Sequence, residues 1–401
     1  MIKKIRVEQL KPGMHIHDLN CGWLEHPFMT NSFRVRDLAT VDKILNLGIA
    51  ELYIDTVKGA DVWPLRQPSE VSAELERRLA ELAQKKAERP VVVAVHEEAV
   101  RARRLHAEAA KVVRAVLDAA RLGQPLAIAE VAPLVGNLID SVFRNPNALL
   151  PLARLKEVDG YTFAHAVGVS ALLAVFGRAL KLPKESIHEL ALGGLLLDIG
   201  KANLPPPLLN KAAKLSDDEL RLMHSHVAES IRLLRGVAGI SPRVLRMVAE
   251  HHERSDGSGY PRRLHGEQIS QYGRMAAIVD VYDAITSERV YAHGMAPPAA
   301  LKKLLEWSQH HFDAQLVQTF IRAIGIYPSG TLVRLESNRL GVVIEQNESN
   351  LLEPVVRVFY HAGQQHYLPP EIVDLAKVKD RIASFEHFEK WKIDPYQWLP
   401  A

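Results

Sequence analysis

The stretch AEHHERSDGSGYP, residues 249–261, joins two adjacent histidines to a segment rich in glycine. Neighbouring side chains on a helix point about 100° apart, so His251 and His252 can face one site only where it lies against the helix end. Gly257 and Gly259 favour a tight loop directly afterwards. By itself, a pair of histidines is more often polar surface sequence than a pair of metal ligands.

Four further polar residues lie in strongly apolar surroundings: His165 in YTFAHAVGVS, Asp198 in LLLDIGK, His226 in RLMHSHVAESI and Asp280 in RMAAIVDVYDAIT. An unpaired imidazole is costly to bury. A buried carboxylate needs a cation, which is either a side chain or a metal. Each position has an ordinary structural explanation, such as a hydrogen-bonded core histidine or a capping aspartate. Their occurrence together in one helical region favours a site built from imidazole and carboxylate.

Composition limits the classes of function. The net charge of +3 over 401 residues is too small for binding of a nucleic-acid polymer through bulk electrostatics, so an anionic partner would be held in a local site. Cys21 is the only cysteine, which excludes disulfides and multi-thiolate metal sites within one chain and suits a reducing compartment. Without a signal-peptide core or a run of about 18 apolar residues, the sequence predicts a soluble, cytoplasmic protein with no membrane insertion.

The patterns predict a mainly α protein with a small module at each end. Short β-like runs and one helix, with Asp37 as N-cap and Gly48 as stop, predict an α+β module over residues 1–66. Charged, alanine-rich helical sequence fills residues 67–149 and indicates linker and packing helices, with a dimer-forming helix as the alternative. A helical domain spans 150–328, and alternating apolar residues predict a β-rich region over 329–401.

Residues from about 150 to 325 resemble the HD-GYP domain, a subgroup of the HD phosphohydrolase superfamily that hydrolyses the bacterial second messenger cyclic di-GMP. The match runs in order through YTFAHAVGVS, LDIGKANLPPPLLNKAAKLSDDE, MHSHVAES, HHERSDGSGYPRRLHGEQI and IVDVYDAITSERVY. The segment LKPGMHIHDLNCGWLEHPF resembles an accessory domain that precedes some HD-GYP domains. The resemblance therefore implies an HD-type helical bundle between two small modules.

The resemblance also implies roles for individual residues. The metal ligands would be His165, Asp198, His226, His251, His252 and Asp280, with Asp198 bridging two ions of iron or manganese. His224 does not fall on a ligand position, and Tyr161 replaces a glutamate that binds a third metal in some members. The catalytic residues would be Asp198 and Lys201, and the substrate phosphate would be held by Lys201, Arg289 and Tyr291. The GYP loop is Gly259, Tyr260 and Pro261, a surface also suited to protein partners.

Two positions depart from the family pattern. Leu197 stands where the family has the histidine of its HD motif, and Ala292 follows Tyr291 where a basic residue is common. Leucine cannot bind a metal, so we expect the first ion, held by His165, Asp198 and Asp280, to bind weakly.

The implied function is hydrolysis of cyclic di-GMP to linear pGpG, and on to GMP as a further step, by metal-activated hydroxide and with impaired activity. The alternative is a degenerate domain that acts as a cyclic di-GMP receptor or a scaffold for protein partners. A third interpretation is a phosphohydrolase for another nucleotide, because HD chemistry is shared across substrates.

Overall fold

The computed structural model describes residues 2–20, 32–60, 68–85, 91–154, 161–209, 211, 213, 215–287 and 294–399. The strands are β1 Ile2–Arg6, β2 His15–Asp18, β3 Phe33–Arg34, β4 Glu51–Asp55, β5 Leu332–Leu335, β6 Arg339–Glu345, β7 Val355–His361, β8 His366–Asp374 and β9 Ile382–Phe385. The helices are α1 Leu38–Leu45, α2 Pro68–Ala83, α3 Val95–Arg121, α4 Ile128–Arg144, α5 Pro146–Arg154, α6 Tyr161–Ala179, α7 Lys184–Leu196, α8 Pro206–Leu209, α9 Asp217–His224, α10 His226–Leu234, α11 Pro242–Glu250, α12 Gln271–Thr286, α13 Pro297–Trp307 and α14 Ala314–Ile324.

The N-terminal module is a four-stranded antiparallel sheet, in the order β1-β4-β2-β3, with helix α1. Asp37 begins the helix as predicted, because its carboxylate accepts a hydrogen bond from the backbone N–H of Thr40 at 2.8 Å. The helix ends before Gly48, whose φ of +70° suits glycine. Ile16, Ile44 and other apolar residues form a core of its own. The predicted α+β module is confirmed.

Helices α2 to α14 form the main body, and one continuous apolar core runs through it. The charged helix α3 packs against α4, α5 and α6. Its buried residues recur every three or four positions, from Ala102 and Leu105 through Ala109 to Val113 and Val116. This apolar stripe is therefore covered by the chain's own bundle. The predicted helical fold class is confirmed.

The C-terminal region is a five-stranded antiparallel sheet in the order β8-β7-β6-β5-β9. Val333, Val343, Val356 and Val358 lie in a small separate core on it, whereas Leu332 and Phe359 join the main core. The predicted β-rich appendage is thus confirmed. The main core includes residues on both sides of the predicted domain boundaries after positions 149 and 328. These two boundaries therefore stay predictions. Among the described residues, no helix has the length and apolar character needed to cross a bilayer.

Candidate metal centre

The six predicted ligands converge on one point of the helical body. They lie at five places in the bundle: His165 within α6, Asp198 just after α7, His226 at the start of α10, His251 and His252 just after α11, and Asp280 within α12. All are buried except His252, which is partly buried. Their charges and lone pairs are therefore held away from bulk water.

Asp198 is shared between two groups that could each hold a metal ion, namely Asp198, His226, His251 and His252, and His165, Asp198 and Asp280. Its Oδ1 lies 3.2 Å from Nε2 of His226 and 3.9 Å from Nε2 of His251. Its Oδ2 lies 3.4 Å from Nε2 of His165. One oxygen of the carboxylate thus faces each group, as a bridging ligand requires.

The histidines are oriented from behind by hydrogen bonds at Nδ1. His226 donates to the carbonyl oxygen of Met223 at 2.7 Å, and His251 donates to that of Val248 at 2.7 Å. A carbonyl oxygen can only accept, so Nδ1 carries the proton and Nε2 of the neutral ring presents a lone pair to the site. This is the tautomer that a metal ligand needs.

The charges of the site fit a cation. Burial lowers the pKa of His251 and His252, which keeps both rings neutral at pH 7. Burial opposes ionisation of Asp198, but the Lys201 ammonium and a hydrogen bond with His165 hold the pKa of this carboxyl well below its usual range. Among the described residues, none donates a hydrogen bond in good geometry to its buried Oδ1. This oxygen lies 3.2 Å from Nε2 of His226, whose Nδ1 already donates to Met223, and a divalent ion would bind both atoms.

His165 is enclosed by carboxylates. Its Nε2 lies 3.1 Å from Oδ1 of Asp280, and its Nδ1 lies 2.6 Å from Oδ2 of Asp283. Burial alone would lower the pKa of His165, but hydrogen bonds to Asp198, Asp280 and Asp283 raise it to about 10. The carboxylates thus stabilise positive charge here, which fits a second cation. Imidazole and carboxylate are both ligands of divalent metal ions.

The turn that carries Asp198 is fixed by a close helix contact. The Ser230 hydroxyl on α10 accepts from the Gly200 backbone N–H at 2.8 Å and donates to the Leu197 carbonyl at 2.8 Å. A Cβ on Gly200 would lie only 2.1 Å from the His226 carbonyl oxygen, so no larger residue fits without movement of the backbone. The Leu197 side chain is 1% exposed and belongs to the main core.

Comparison with known proteins identifies the family of this chain. The HD domain family (HD_5) matches residues 134–316, and a domain of unknown function (DUF3391) matches residues 2–131. The chain is 41% identical to the cyclic di-GMP phosphodiesterase PA4108 of Pseudomonas aeruginosa, over 98% of this chain and 94% of that protein. The chain belongs to the HD-GYP family. A cyclic di-GMP phosphodiesterase of Vibrio cholerae is 32% identical over 48% of this chain and 44% of its own length. Among solved structures, the HDG"Y"P protein Bd1817 of Bdellovibrio bacteriovorus has a TM-score of 0.48 at 16% identity and covers 80% of this chain and 98% of its own.

The GYP loop of this HD-GYP chain lies against the candidate ligands. The Tyr260 ring stacks on His252, with 4.7 Å between centroids, and on His224, with 3.7 Å. A Cβ on Gly259 would lie 2.5 Å from the carbonyl oxygen of His252, so the loop backbone approaches this ligand closely. A cavity of about 350 Å³ opens beside the loop and is lined by His224, Tyr260 and Phe312 among others.

Of the remaining predicted site residues, the structure describes Lys201 but not Arg289 or Tyr291. Lys201 lies beside the site, with Nζ 2.5 Å from Oδ2 of Asp198. The predicted phosphate ligands Arg289 and Tyr291 lie outside the described residues, as does Ala292.

Asp283 and Ser230 were not among the predicted site residues. A signal for Asp283 was available, because it lies three positions after Asp280 on the same helix face. Nothing in the local sequence points to Ser230.

Proposed function

We propose that this HD-GYP chain is a metal-dependent phosphodiesterase that hydrolyses cyclic di-GMP to linear pGpG. The observation that carries the proposal is Asp198, whose two oxygens face two separate groups of histidine and aspartate. The name of the Pseudomonas aeruginosa relative supports the substrate, since the identity of 41% extends over nearly the whole chain. A bacterial second messenger is made inside the cell, so the proposal includes a cytoplasmic location.

The chain's ligands would hold two divalent ions, iron or manganese, one in each group that shares Asp198. When bound, such ions supply Lewis-acid stabilisation of phosphate charge and an activated water as nucleophile. Lys201 would neutralise negative charge that develops on a phosphoryl oxygen, because its ammonium already lies beside Asp198 at the edge of the group, about a quarter exposed.

Hydrolysis adds one water across a P–O3′ bond of the ring, leaving a 5′-phosphate and a 3′-hydroxyl on the linear dinucleotide. The cavity beside the GYP loop is positioned to take part of the substrate, since His251 and His252 form one of its walls and Tyr260 another. We assign phosphate binding to Arg289 and Tyr291 and include a second hydrolysis of pGpG to GMP in the proposal.

Activity would be low for the family because of Leu197. The group of His165, Asp198 and Asp280 has three protein ligands, and the neighbouring Leu197 offers none. Loss of an inner ligand weakens a metal by more than the roughly 10–100-fold typical of outer partners. The first ion would therefore be held weakly, and turnover would depend on the concentration of free metal.

The test is turnover of cyclic di-GMP by the purified full-length chain in excess Mn²⁺ or Fe²⁺, with products separated by anion-exchange chromatography. We expect pGpG to accumulate at a rate that rises with metal concentration, and Asp198→Asn to abolish it. Asp118→Asn, on the exposed side of α3, is the matched control and should leave the rate unchanged.

Either of two other outcomes would favour a different function. Tight binding of cyclic di-GMP without turnover at any metal concentration would favour a receptor, the alternative that Leu197 supports. Faster hydrolysis of 3′3′-cGAMP would favour another cyclic dinucleotide. A Vibrio cholerae relative named as 3′3′-cGAMP-specific is 35% identical over 42% of this chain, so this substrate belongs in the assay.

A further inference from the structure

The N-terminal module directly contacts residues 254–261, the segment that ends in the GYP loop and is called the loop below. Tyr53, on strand β4, donates a hydrogen bond from its hydroxyl to Oδ2 of Asp256 at 3.3 Å. Its ring also packs against His310, with 4.3 Å between centroids, and meets His311 edge-on at 6.1 Å. Tyr53 is almost fully buried in this contact. We refer to Tyr53, Asp256, His310 and His311 as the docking cluster.

Asp256 is the residue that joins three parts of the molecule. Its Oδ1 accepts from the backbone N–H of Ser258 at 3.0 Å and from the Ser258 hydroxyl at 2.6 Å, which folds the loop back on itself. Its Oδ2 accepts from Nδ1 of His311, after α13, at 3.0 Å and from Tyr53. The loop, the helical body and the N-terminal sheet thus meet at one buried carboxylate.

Asp256 is linked to the candidate ligand His252 by a short segment of chain that is hydrogen-bonded to it. Asp256 lies four residues after His252, and the backbone N–H of Tyr260 donates to the His252 carbonyl at 3.1 Å. The far side of the loop is held by buried Glu253, which accepts from the backbone N–H groups of Arg262 and Leu264 at 2.7 and 2.9 Å. Asp256 is therefore a point at which an outside group can act on the loop that carries Tyr260.

A further contact of the module lies beside this carboxylate. Asp18 on β2 lies 4.0 Å from Nε2 of His311. The N-terminal sheet thus also contacts the turn after α13, the segment that presents His311 to Asp256.

We propose that Tyr53 is a positioning residue for the metal centre: by donating to Asp256, the N-terminal module holds the GYP loop so that Tyr260 packs on His252 and shapes the cavity beside it. Displacement of the module by a ligand or partner would release the loop and lower the affinity for substrate. The effect on turnover rests on the proposed phosphodiesterase activity, whereas the effect on the loop does not.

The test uses Tyr53→Phe in the full-length chain, which removes one hydroxyl and keeps the ring. Hydrogen exchange of the backbone amides of residues 254–260 should quicken about fivefold. This is the effect expected for loss of one long hydrogen bond, here 3.3 Å, to a carboxylate. The KM for cyclic di-GMP should rise about threefold, with kcat changed less than twofold, because the loop lines the cavity. Tyr367→Phe, on exposed strand β8, is the control and should change neither quantity.

Asp256→Ala provides the second arm. It should quicken exchange in the same loop, and adding Tyr53→Phe to it should have little further effect, because the acceptor of the Tyr53 hydroxyl is already absent. Unchanged loop exchange in Tyr53→Phe, or additive effects in the double variant, would overturn the proposal. So would an equal rise throughout β1 and β4, since that indicates general loosening of the module. Faster loop exchange in a chain that hydrolyses no cyclic dinucleotide would uphold the coupling and count against the proposed function alone.

Discussion

Asp283 lies directly behind His165, with its Oδ2 2.6 Å from Nδ1 of the imidazole. The opposite nitrogen, Nε2, faces Asp198 and Asp280. Asp280 and Asp283 are three residues apart on α12, so one helix face supplies both a candidate ligand and the carboxylate that orients the neighbouring histidine. This arrangement of carboxylate, histidine and metal site is the usual way in which proteins fix a ligand ring.

Asp283→Asn should therefore weaken metal binding without removing a ligand. The amide can still accept a hydrogen bond from His165, but it carries no negative charge to raise the basicity of the ring. We expect Mn²⁺ affinity to fall roughly 10–100-fold, the range for such outer partners. Calorimetric titration of the metal-free chain measures this directly, with Asp118→Asn as the control. An affinity equal to that of the unmodified chain would show that Asp283 serves packing alone.

Leu197→His should restore the missing ligand and raise the number of bound ions from about one to two per chain. In metal-free protein the buried imidazole should cost about 1–3 kcal/mol of stability, because Leu197 lies in the apolar core. Added Mn²⁺ should return that stability, since a ligand that binds only the folded state stabilises it.

Metal content after gel filtration and thermal unfolding with and without Mn²⁺ test this effect of Leu197. Leu197→Gln is the control: it brings a similar volume and polarity but a poor ligand, so it should lose stability that metal does not return. A second ion bound as tightly to the unmodified chain as to Leu197→His would refute our account of this position.

The fold class and the residues that meet at the candidate centre could be predicted from the sequence. Buried polar residues inside apolar helices have few explanations, so His165, Asp198 and Asp280 stand out by their surroundings in the chain. Periodicity likewise indicated the helical body and the two small sheets. These signals are local, and each is visible within about 15 residues.

Contacts between distant segments could not be predicted in this way. Tyr53 and Asp256 are 203 positions apart, and neither lies in a pattern that links it to the other. Ser230 looks like any polar helix residue until Gly200 and Leu197 are placed beside it. The oriented nitrogens of His226 and His251 depend on backbone carbonyls, which carry no sequence signal. Such features follow from how helices pack, not from the residue types at one position.

Ser230→Ala should destabilise the chain by about 2–4 kcal/mol, because it leaves both the Gly200 N–H and the Leu197 carbonyl buried without their partner. The turn between them carries Asp198, so metal affinity should fall as well. Urea unfolding measures the first effect and Mn²⁺ titration the second. Ser225→Ala, which removes an exposed hydroxyl one residue before α10, should cost less than about 1 kcal/mol. Equal losses in the two variants would contradict the role given to Ser230.

Acid should loosen the docking cluster. Burial, and secondly the charge of His311, lower the pKa of His310 to about 3. The negative charge of Asp256 acts in the opposite direction but is outweighed. Burial and Lys303 likewise lower the pKa of His17 at the same interface. Further charged groups face these rings, namely Asp18, Asp55, Arg254 and Glu306. When the module undocks, exposed histidines regain a pKa near 6.5 and take up protons that the docked state cannot.

The undocked state thus binds more protons between about pH 6.5 and 3, so docking is strongest above pH 7 and weakens as the pH falls through 6.5. Burial opposes ionisation of Asp256, but the hydrogen bond from His311 holds the pKa of this carboxyl below its usual range, so it acts in the same direction only near pH 4 and below. Exchange protection of residues 254–260, corrected for the intrinsic effect of pH, should therefore decrease from pH 7.5 to 5. His310→Gln should flatten this decrease. Protection that rises towards pH 5, or an equal slope in the variant, would show that protonation of His310 does not control docking.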